Sequence, residues 1–222
     1  MSQRDKALEA IRKVVLAGRI PAGQRTSERR LTDEFLAGSG LGRTPVREAL
    51  AILTEQGIVE QYPQAGFAVR VVHVKEARSA LRLQHVTESL AVAEAAKTGA
   101  ETTDLAQLAN RIEDEAECES CANVLNLERE FHMRVTALGG YGSGVDAIGG
   151  FRDRIALFLA RTRELEAREQ MEIAAGCRQL AATMREDVDG DRSRAQLERL
   201  LRTEDRFIIA RAETSQLATA LA

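Results

Sequence analysis

Proline is absent from most of this 222-residue chain, since the last of its three prolines is Pro63. Cysteine and histidine are also scarce, with three of each, and no histidine follows His132. The sequence contains no run of 18 or more apolar residues, and its first residues are polar and charged rather than a prelude to an apolar stretch. We therefore expect neither membrane insertion nor secretion. Three cysteines in that setting predict reduced thiols in a cytoplasmic protein.

The proline-free part of the chain is rich in leucine, alanine, arginine and glutamate, which are strong helix formers. Breaks at glycine pairs and at charged turns divide it into six predicted helices, with Gly149-Gly150 interrupting the fourth. The predicted helices span residues 76–98, 102–118, 122–138, 144–165, 169–187 and 191–213. The sequence therefore predicts an all-helical second half.

Length and charge divide the chain into two parts. A chain of 222 residues with 44% apolar content can form two modest domains, each with its own core. Residues 1–75 contain 12 Lys and Arg against 8 Asp and Glu, and the remainder contains 19 against 26. A basic head on an acidic body is typical of a DNA-binding domain joined to a sensor domain. We predict a DNA-binding domain at 1–74 and a helical effector-binding and dimerisation domain at 75–222.

The segment Gly42-Arg-Thr-Pro-Val-Arg-Glu-Ala-Leu50 predicts a short helix with a charged N-terminal end. The Thr44 hydroxyl can cap this helix, and Pro45 suits the first helical position, where its missing N–H is not needed. Arg43 and Arg47 then lie at the exposed N-terminal end, where the helix dipole favours an anion. Two arginines at this end of a helix that follows another short helix indicate a DNA recognition helix.

The flanking sequence completes a winged helix-turn-helix. Ser27 or Thr26 can cap a helix over residues 28–36, and residues 37–42 supply a glycine-rich turn. Gly57 ends the recognition helix, and two β-prone runs at 58–62 and 67–72 form a hairpin. The predicted fold class is thus mainly α, with an N-terminal winged helix-turn-helix followed by an all-α helical-bundle sensor domain.

These motifs resemble the GntR family of bacterial transcription regulators. The resemblance covers roughly residues 5–72 and rests on several spaced motifs: Pro21-Ala-Gly23, Leu31, the segment 43–50, Gly57 and Gly66. It differs at Gly42, where the family often has serine. The resemblance implies that double-stranded operator DNA is the partner. It also implies DNA contacts by Arg29, Arg43 and Arg47, with Thr44 and the wing around Gly66 assisting.

The helical second half resembles the ligand-sensing, FCD-type domain of the FadR subfamily. Its best anchor is Glu128-Arg-Glu-Phe-His132, because residues four apart share one helix face. Many subfamily members have Asp-x-x-x-His here, and two later histidines complete a divalent-metal site beneath an effector pocket. The resemblance also places Gln84 near a position that is often an arginine facing the pocket.

The two later histidines are missing from this chain, and the resemblance puts Cys177 or Arg178 at one position and Arg202 at the other. One interpretation is a zinc, nickel or manganese site formed by Glu128, His132 and Cys177. The preferred interpretation is that the metal is lost and that Arg178 or Arg202 holds a carboxylate effector. The simplest alternative is that His132 is an ordinary buried histidine and Arg202 a surface residue.

We therefore predict a cytoplasmic, homodimeric bacterial transcription regulator, a repressor whose operator binding responds to a small organic acid or similar metabolite. One alternative is a DNA-binding adaptor without a ligand, which a packed sensor core would favour. Another is an enzyme that uses Glu128 and His132, which would need a third titratable group beside that pair. We predict no enzymatic activity, because the sequence has no metalloprotease motif, nucleophile elbow or phosphate loop.

Overall fold

The computed structural model describes the backbone of residues 2–162 and 165–220 and the side chains up to residue 213. Residues 163 and 164, at the end of the fourth predicted helix, lie outside this description. Among the described residues, none of the helices combines the length and apolar character that a membrane crossing needs.

The N-terminal domain is a small helical domain with a three-stranded sheet. Its helices are α1 (Gln3–Leu16), α2 (Glu28–Arg30, continued by a wider π-helical turn over Leu31–Phe35) and α3 (Arg43–Glu55). Its strands are β1 (Arg25–Thr26), β2 (Val59–Tyr62) and β3 (Gly66–Val69), in the antiparallel order β1-β3-β2. The winged helix-turn-helix prediction is confirmed, although the two-residue strand β1 was not predicted.

Helix α3 begins differently from the prediction. Gly42 is the N-cap residue and Arg43 already lies in the helix, so Thr44 does not cap it and Pro45 is third rather than first. The proline is still tolerated, because the first N–H groups of a helix have no partner within it. Ser27 caps α2 by accepting a hydrogen bond from the Arg30 N–H at 3.1 Å, and Gly57 follows α3 with φ of 71°, both as predicted.

The C-terminal domain is a helical bundle, as predicted. It comprises α4 (Val74–Thr98), α5 (Thr103–Glu117), α6 (Cys121–Leu138), α7 (Val145–Thr162), α8 (Ala167–Glu186) and α9 (Asp191–Ala220). Helix α7 runs through Gly149-Gly150 without a break, contrary to the prediction. A Cβ atom at position 149 would lie 2.6 Å from Nη2 of Arg129, so Gly149 makes room for that guanidinium.

The two domains pack against each other through α1, α6 and α7. Arg161 of α7 donates to the backbone oxygen of Val72 at 3.0 Å, just before α4 begins. Arg12 of α1 reaches across the junction and forms a buried ion pair with Asp153 of α7. The N-terminal domain is therefore held against the same helices that form the bundle core.

Candidate DNA-binding surface and buried polar cluster

Helices α2 and α3 and the wing enclose a groove of about 700 Å³ on the outer face of the N-terminal domain. Arg29, Arg47 and Gly66 all line this groove, together with Gln61 and Gln64 of the wing. A Cβ at Gly66 would lie 2.3 Å from the Thr26 carbonyl oxygen, and φ of Gly66 is 83°. Gly66 therefore shapes the wing by letting β1 approach β3.

The arginines of this surface are exposed and only loosely engaged. Arg47 is 72% exposed and pairs with Glu28 of α2 at 2.8 Å, while Arg29 is 84% exposed and pairs with Asp33 at 3.3 Å. Arg43 and Thr44 are exposed at the start of α3, outside the lining of the groove. Exposed ion pairs contribute about 0–1 kcal/mol. A phosphate can therefore replace either carboxylate at little cost.

The sequence analysis missed one feature of the wing. The Arg25 guanidinium stacks on the Tyr62 ring, 4.3 Å from its centroid, and the Tyr62 hydroxyl donates to Glu60 at 2.9 Å. Such a pair is not visible in the sequence, because it depends on the pairing of both β1 and β2 with β3.

A second cluster of polar side chains lies inside the helical bundle. It comprises Gln84 and Glu88 of α4, Glu128 and His132 of α6, Arg152 of α7 and Glu204 of α9, none of them more than 2% exposed. The bundle therefore brings Gln84, Glu128 and His132 together, as the sequence analysis expected, and adds three charged residues that it did not name.

His132 is held between two carboxylates. Its Nδ1 lies 2.9 Å from Oε1 of Glu88, and its Nε2 lies 3.8 Å from Oε1 of Glu204. Gln84 orients Glu88 by donating from Nε2 at 3.0 Å. This contact is a hydrogen bond whose donor is set by the tautomer of the His132 ring.

Arg152 bridges the other side of the cluster. Its guanidinium forms short ion pairs with both Glu128 and Glu204. Three carboxyl groups thus face one permanent positive charge, and burial raises the pKa of Glu128 to about 7, with Arg152 opposing and Glu204 reinforcing the rise. The charged form of Glu128 is therefore disfavoured despite its ion pair with Arg152. Acidic groups also outnumber basic ones in this cluster.

Two predicted effector residues lie elsewhere. Arg178 is 54% exposed and pairs with Glu113 of α5, and Arg202 is 77% exposed and pairs with Glu198 within α9. Successive side chains of a helix are rotated by about 100° about its axis, so Arg178 points away from the core into which Cys177 projects. The positive charge beside Glu128 comes from Arg152 instead, and the placement of Arg178 and Arg202 in the core was wrong.

The fit of a metal ion can be tested on the same residues. Glu128, His132 and Glu204 each offer a ligand atom within 4.8 Å of the others, but Cys177 is not part of this group. Burial raises the pKa of the Cys177 thiol well above its usual value, so this thiol is neutral in the ion-free protein. Arg152 already holds the two carboxylates between which a cation would sit. These residues therefore fit a guanidinium better than a metal ion.

The residues missed by the sequence analysis did leave a signal. Arg152 continues the apolar stripe of Ile148, Ile155 and Leu159 on α7, and Glu204 continues that of Leu200 and Ile208 on α9. A charged residue at an apolar position of a helix is predicted to face the core, where it requires a partner. Reading the stripes would have placed Glu204, rather than Arg202, beside His132.

Comparisons with known proteins agree with this architecture. Residues 3–69 match the family described as bacterial regulatory proteins, gntR family. A Streptomyces ambofaciens protein, named an uncharacterized HTH-type transcriptional regulator in an unstable DNA locus, is 28% identical over 184 residues, which cover 74% of this chain and 73% of that protein.

Two solved structures share the fold over almost the whole chain. Escherichia coli McbR/YncC superimposes with a TM-score of 0.76 at 19% identity, covering 95% of this chain and 98% of that one. A GntR-type regulator from Rhodococcus sp. RHA1, described as putative, gives 0.73 at 18% identity, covering 95% and 99%. The likeness therefore extends through the helical domain as well as the DNA-binding domain.

The raised pKa of Glu128 predicts a pH-dependent stability. Between pH 4.5 and about 7 the folded protein keeps a proton that the unfolded chain has lost, so the free energy of unfolding should fall as pH rises through this window. Glu128→Gln keeps the neutral shape and should flatten that decline in urea unfolding curves. Glu198→Gln, at the protein surface, is the control. An unchanged slope in Glu128→Gln would contradict the assigned protonation.

The guanidinium bridge predicts that a chelator has no effect on stability. A bound metal would stabilise the folded state by mass action, so its removal would lower Tm. We expect equal Tm values for the purified protein before and after treatment with EDTA, and no stoichiometric zinc, nickel or manganese in elemental analysis. A large drop in Tm would show that Glu128, His132 and Glu204 hold an ion.

Proposed function

We propose that this chain, a bacterial transcription regulator of the GntR type with its helix-turn-helix at residues 3–69, binds operator DNA as a homodimer under the control of a small-molecule effector. The observation that carries the proposal is the pair Arg29 and Arg47, exposed in one groove between the recognition helix and the wing. Arginine is the residue best suited to bidentate contacts with guanine and phosphate.

The proposed DNA contacts follow from the position of each residue on α3 and the wing. Arg47 and Arg29 enter the major groove, and Arg43 and Thr44 contact phosphate at the N-terminal end of α3. The wing, which turns at Gly66, follows the adjacent backbone. Arg47 is paired with Glu28 of α2 in the free protein, and a phosphate of the DNA would take the place of that carboxylate.

The proposed dimer uses an apolar face of α4. Leu83, Val86 and Leu90 are 51%, 63% and 55% exposed, and their spacing places them along one side of the helix. Exposed large apolar residues in a row, rather than scattered singly, mark an interaction surface. A second copy of the chain meeting this face would place two recognition helices on the half-sites of a pseudo-palindrome.

The helical domain is the proposed sensor. Glu128 and His132 on one face of α6 support its assignment to the FadR subfamily with an FCD-type domain. Gln84, Glu128 and His132 are the proposed sensing residues, because their buried cluster leaves Gln84 Oε1, Glu128 Oε1 and His132 Nε2 without hydrogen-bond partners among the described residues. Such groups are costly in a core and mark functional sites. We propose that the effector releases DNA, which makes the protein a repressor.

An enzyme remains less well supported than a regulator. Glu88 and Glu204 do supply the third titratable group that catalysis by Glu128 and His132 would need. However, the cluster is closed to solvent, and the relatives are named as regulators. A ligand-free adaptor is the second candidate, because the core around His132 is filled by Arg152.

Substitution of Arg47 tests the DNA contact. Operator fragments would first be selected with the purified wild-type protein from its own genomic DNA. Arg47→Ala should weaken binding to the selected fragment by about tenfold or more, since a bidentate base contact contributes about 1–3 kcal/mol. The salt dependence of binding should also decrease. Arg178→Ala is the matched surface control, and equal affinity of Arg47→Ala and wild type would refute the assignment.

Substitution of Val86 tests the dimer. Val86→Glu places a charge at the centre of the exposed α4 stripe and should convert the dimer into a monomer by light scattering, with the helical circular dichroism signal retained. Val188→Glu is the control, because Val188 is 82% exposed and lies in the connection between α8 and α9. A Val86→Glu variant that stays dimeric would place the interface elsewhere.

A further inference from the structure

The junction of the two domains contains a groove of about 420 Å³, on the opposite side of α6 from the buried cluster. Helix α1 and the end of α3 form one wall, and α5 and α6 form the other. Its volume lies within the range of small-molecule sites, about 300–1,000 Å³. A ligand in this groove would therefore touch the DNA-binding domain and the helical domain at once.

The floor of the groove carries more positive than negative charge. Arg12 and Arg129 both pair with Asp153, the latter at 3.0 Å, so two guanidinium groups share one carboxylate. Arg12 also donates to Oε1 of Gln56 at 2.7 Å, which adds no charge. The side chains of Arg12 and Asp153 are 9% and 3% exposed, so water screens this imbalance poorly.

The acidic residues that line the groove are mostly engaged by other partners. Asp5 accepts from the backbone N–H of Ser2 at 3.1 Å, Glu9 pairs with Lys13 at 3.1 Å, and Glu115 accepts from Asn123 at 2.8 Å. Glu130 remains, exposed at the rim with Arg111 of opposite sign. Asp5 and Glu115 keep their charge in these contacts, so the positive excess is confined to the floor, where Arg12 and Arg129 share Asp153.

The walls of the groove are apolar next to this charge. Leu8 of α1 faces Leu127 and Met133 of α6 across the groove, and Leu8 and Met133 are half-buried. An apolar wall beside a guanidinium floor suits a ligand with a carboxylate at one end and a hydrocarbon body at the other.

We propose that this groove binds a small monocarboxylic acid with an apolar body, its carboxylate on Arg129 and Arg12 and its body against Leu8, Leu127 and Met133. This assignment rests on the proposed function and adds a ligand site, of stated chemical class, outside the buried cluster of Gln84, Glu128 and His132. Because one ligand would contact both walls, its binding favours one position of the N-terminal domain relative to the bundle over others.

A charge series on one ring tests the ligand class. Benzoate, benzyl alcohol and benzylamine share the ring and differ in charge at neutral pH, and each would be titrated into the full chain by calorimetry without DNA. We expect saturable binding of benzoate and none of the other two at the same concentrations. Absence of benzoate binding, or tighter binding of benzylamine, would overturn the proposal.

Two further measurements test the location. Arg129→Gln leaves Asp153 paired with Arg12, so the fold should be retained, and benzoate should bind about tenfold more weakly or worse. Arg178→Gln, outside the groove, should bind as wild type. In methionine-methyl NMR the ring current of benzoate should shift the Met133 signal, assigned through Met133→Leu, and not those of Met171 and Met184.

An unshifted Met133 signal, or equal affinity of Arg129→Gln and wild type, would place the acid elsewhere. The Arg47→Ala variant separates this proposal from the proposed function. It should bind benzoate as wild type does, whether or not Arg47 contacts operator DNA.

Discussion

Helices α6 and α7 are joined by two ion pairs in which the acidic and basic partners are exchanged between the helices. On α6, Glu128 precedes Arg129, and on α7, Arg152 precedes Asp153, so Glu128 pairs with Arg152 and Arg129 pairs with Asp153. The first pair faces the bundle core and the second faces the DNA-binding domain. Such pairs add little net stability, but breaking the fully buried pair of Glu128 and Arg152 leaves a buried charge and costs about 3–5 kcal/mol. The register of α6 against α7 is therefore strongly specified.

This arrangement gives the bundle a short mechanical route to the recognition helix. Asp153 holds Arg12 of α1, and Arg12 holds Gln56, which caps the C-terminal end of α3. A shift of α7 therefore either moves α1 and α3 as well or breaks the buried ion pair between Arg12 and Asp153. In the proposed regulator, a coupling free energy of about 1–3 kcal/mol would be enough to change operator occupancy several-fold.

The sequence predicted elements and their order better than it predicted the inner faces of the helices. The hairpin, the Ser27 cap, the left-handed Gly57 and the helices of the bundle followed from local chemistry, which a sequence displays directly. The partners of Glu128 did not, because Arg152 and Glu204 lie 24 and 76 residues further along the chain. Arg202 was placed there by the family resemblance, although the apolar stripe of α9 already indicated Glu204. Strand β1 was missed because two residues carry no periodicity.

The guanidinium of Arg152 also determines which effector chemistry the core can recognise. A free cation in the core would attract a carboxylate, but Arg152 is shared by two glutamates, and Glu88 adds a third acidic group beside His132. An acid entering there would have to displace a carboxylate already in place, and the remaining charge would repel it. On the outer side of the same helices the balance of charge is reversed, because two arginines share one carboxylate, that of Asp153. We therefore propose the groove on the side of α6 that faces the N-terminal domain, rather than the bundle core, as the site for an organic acid.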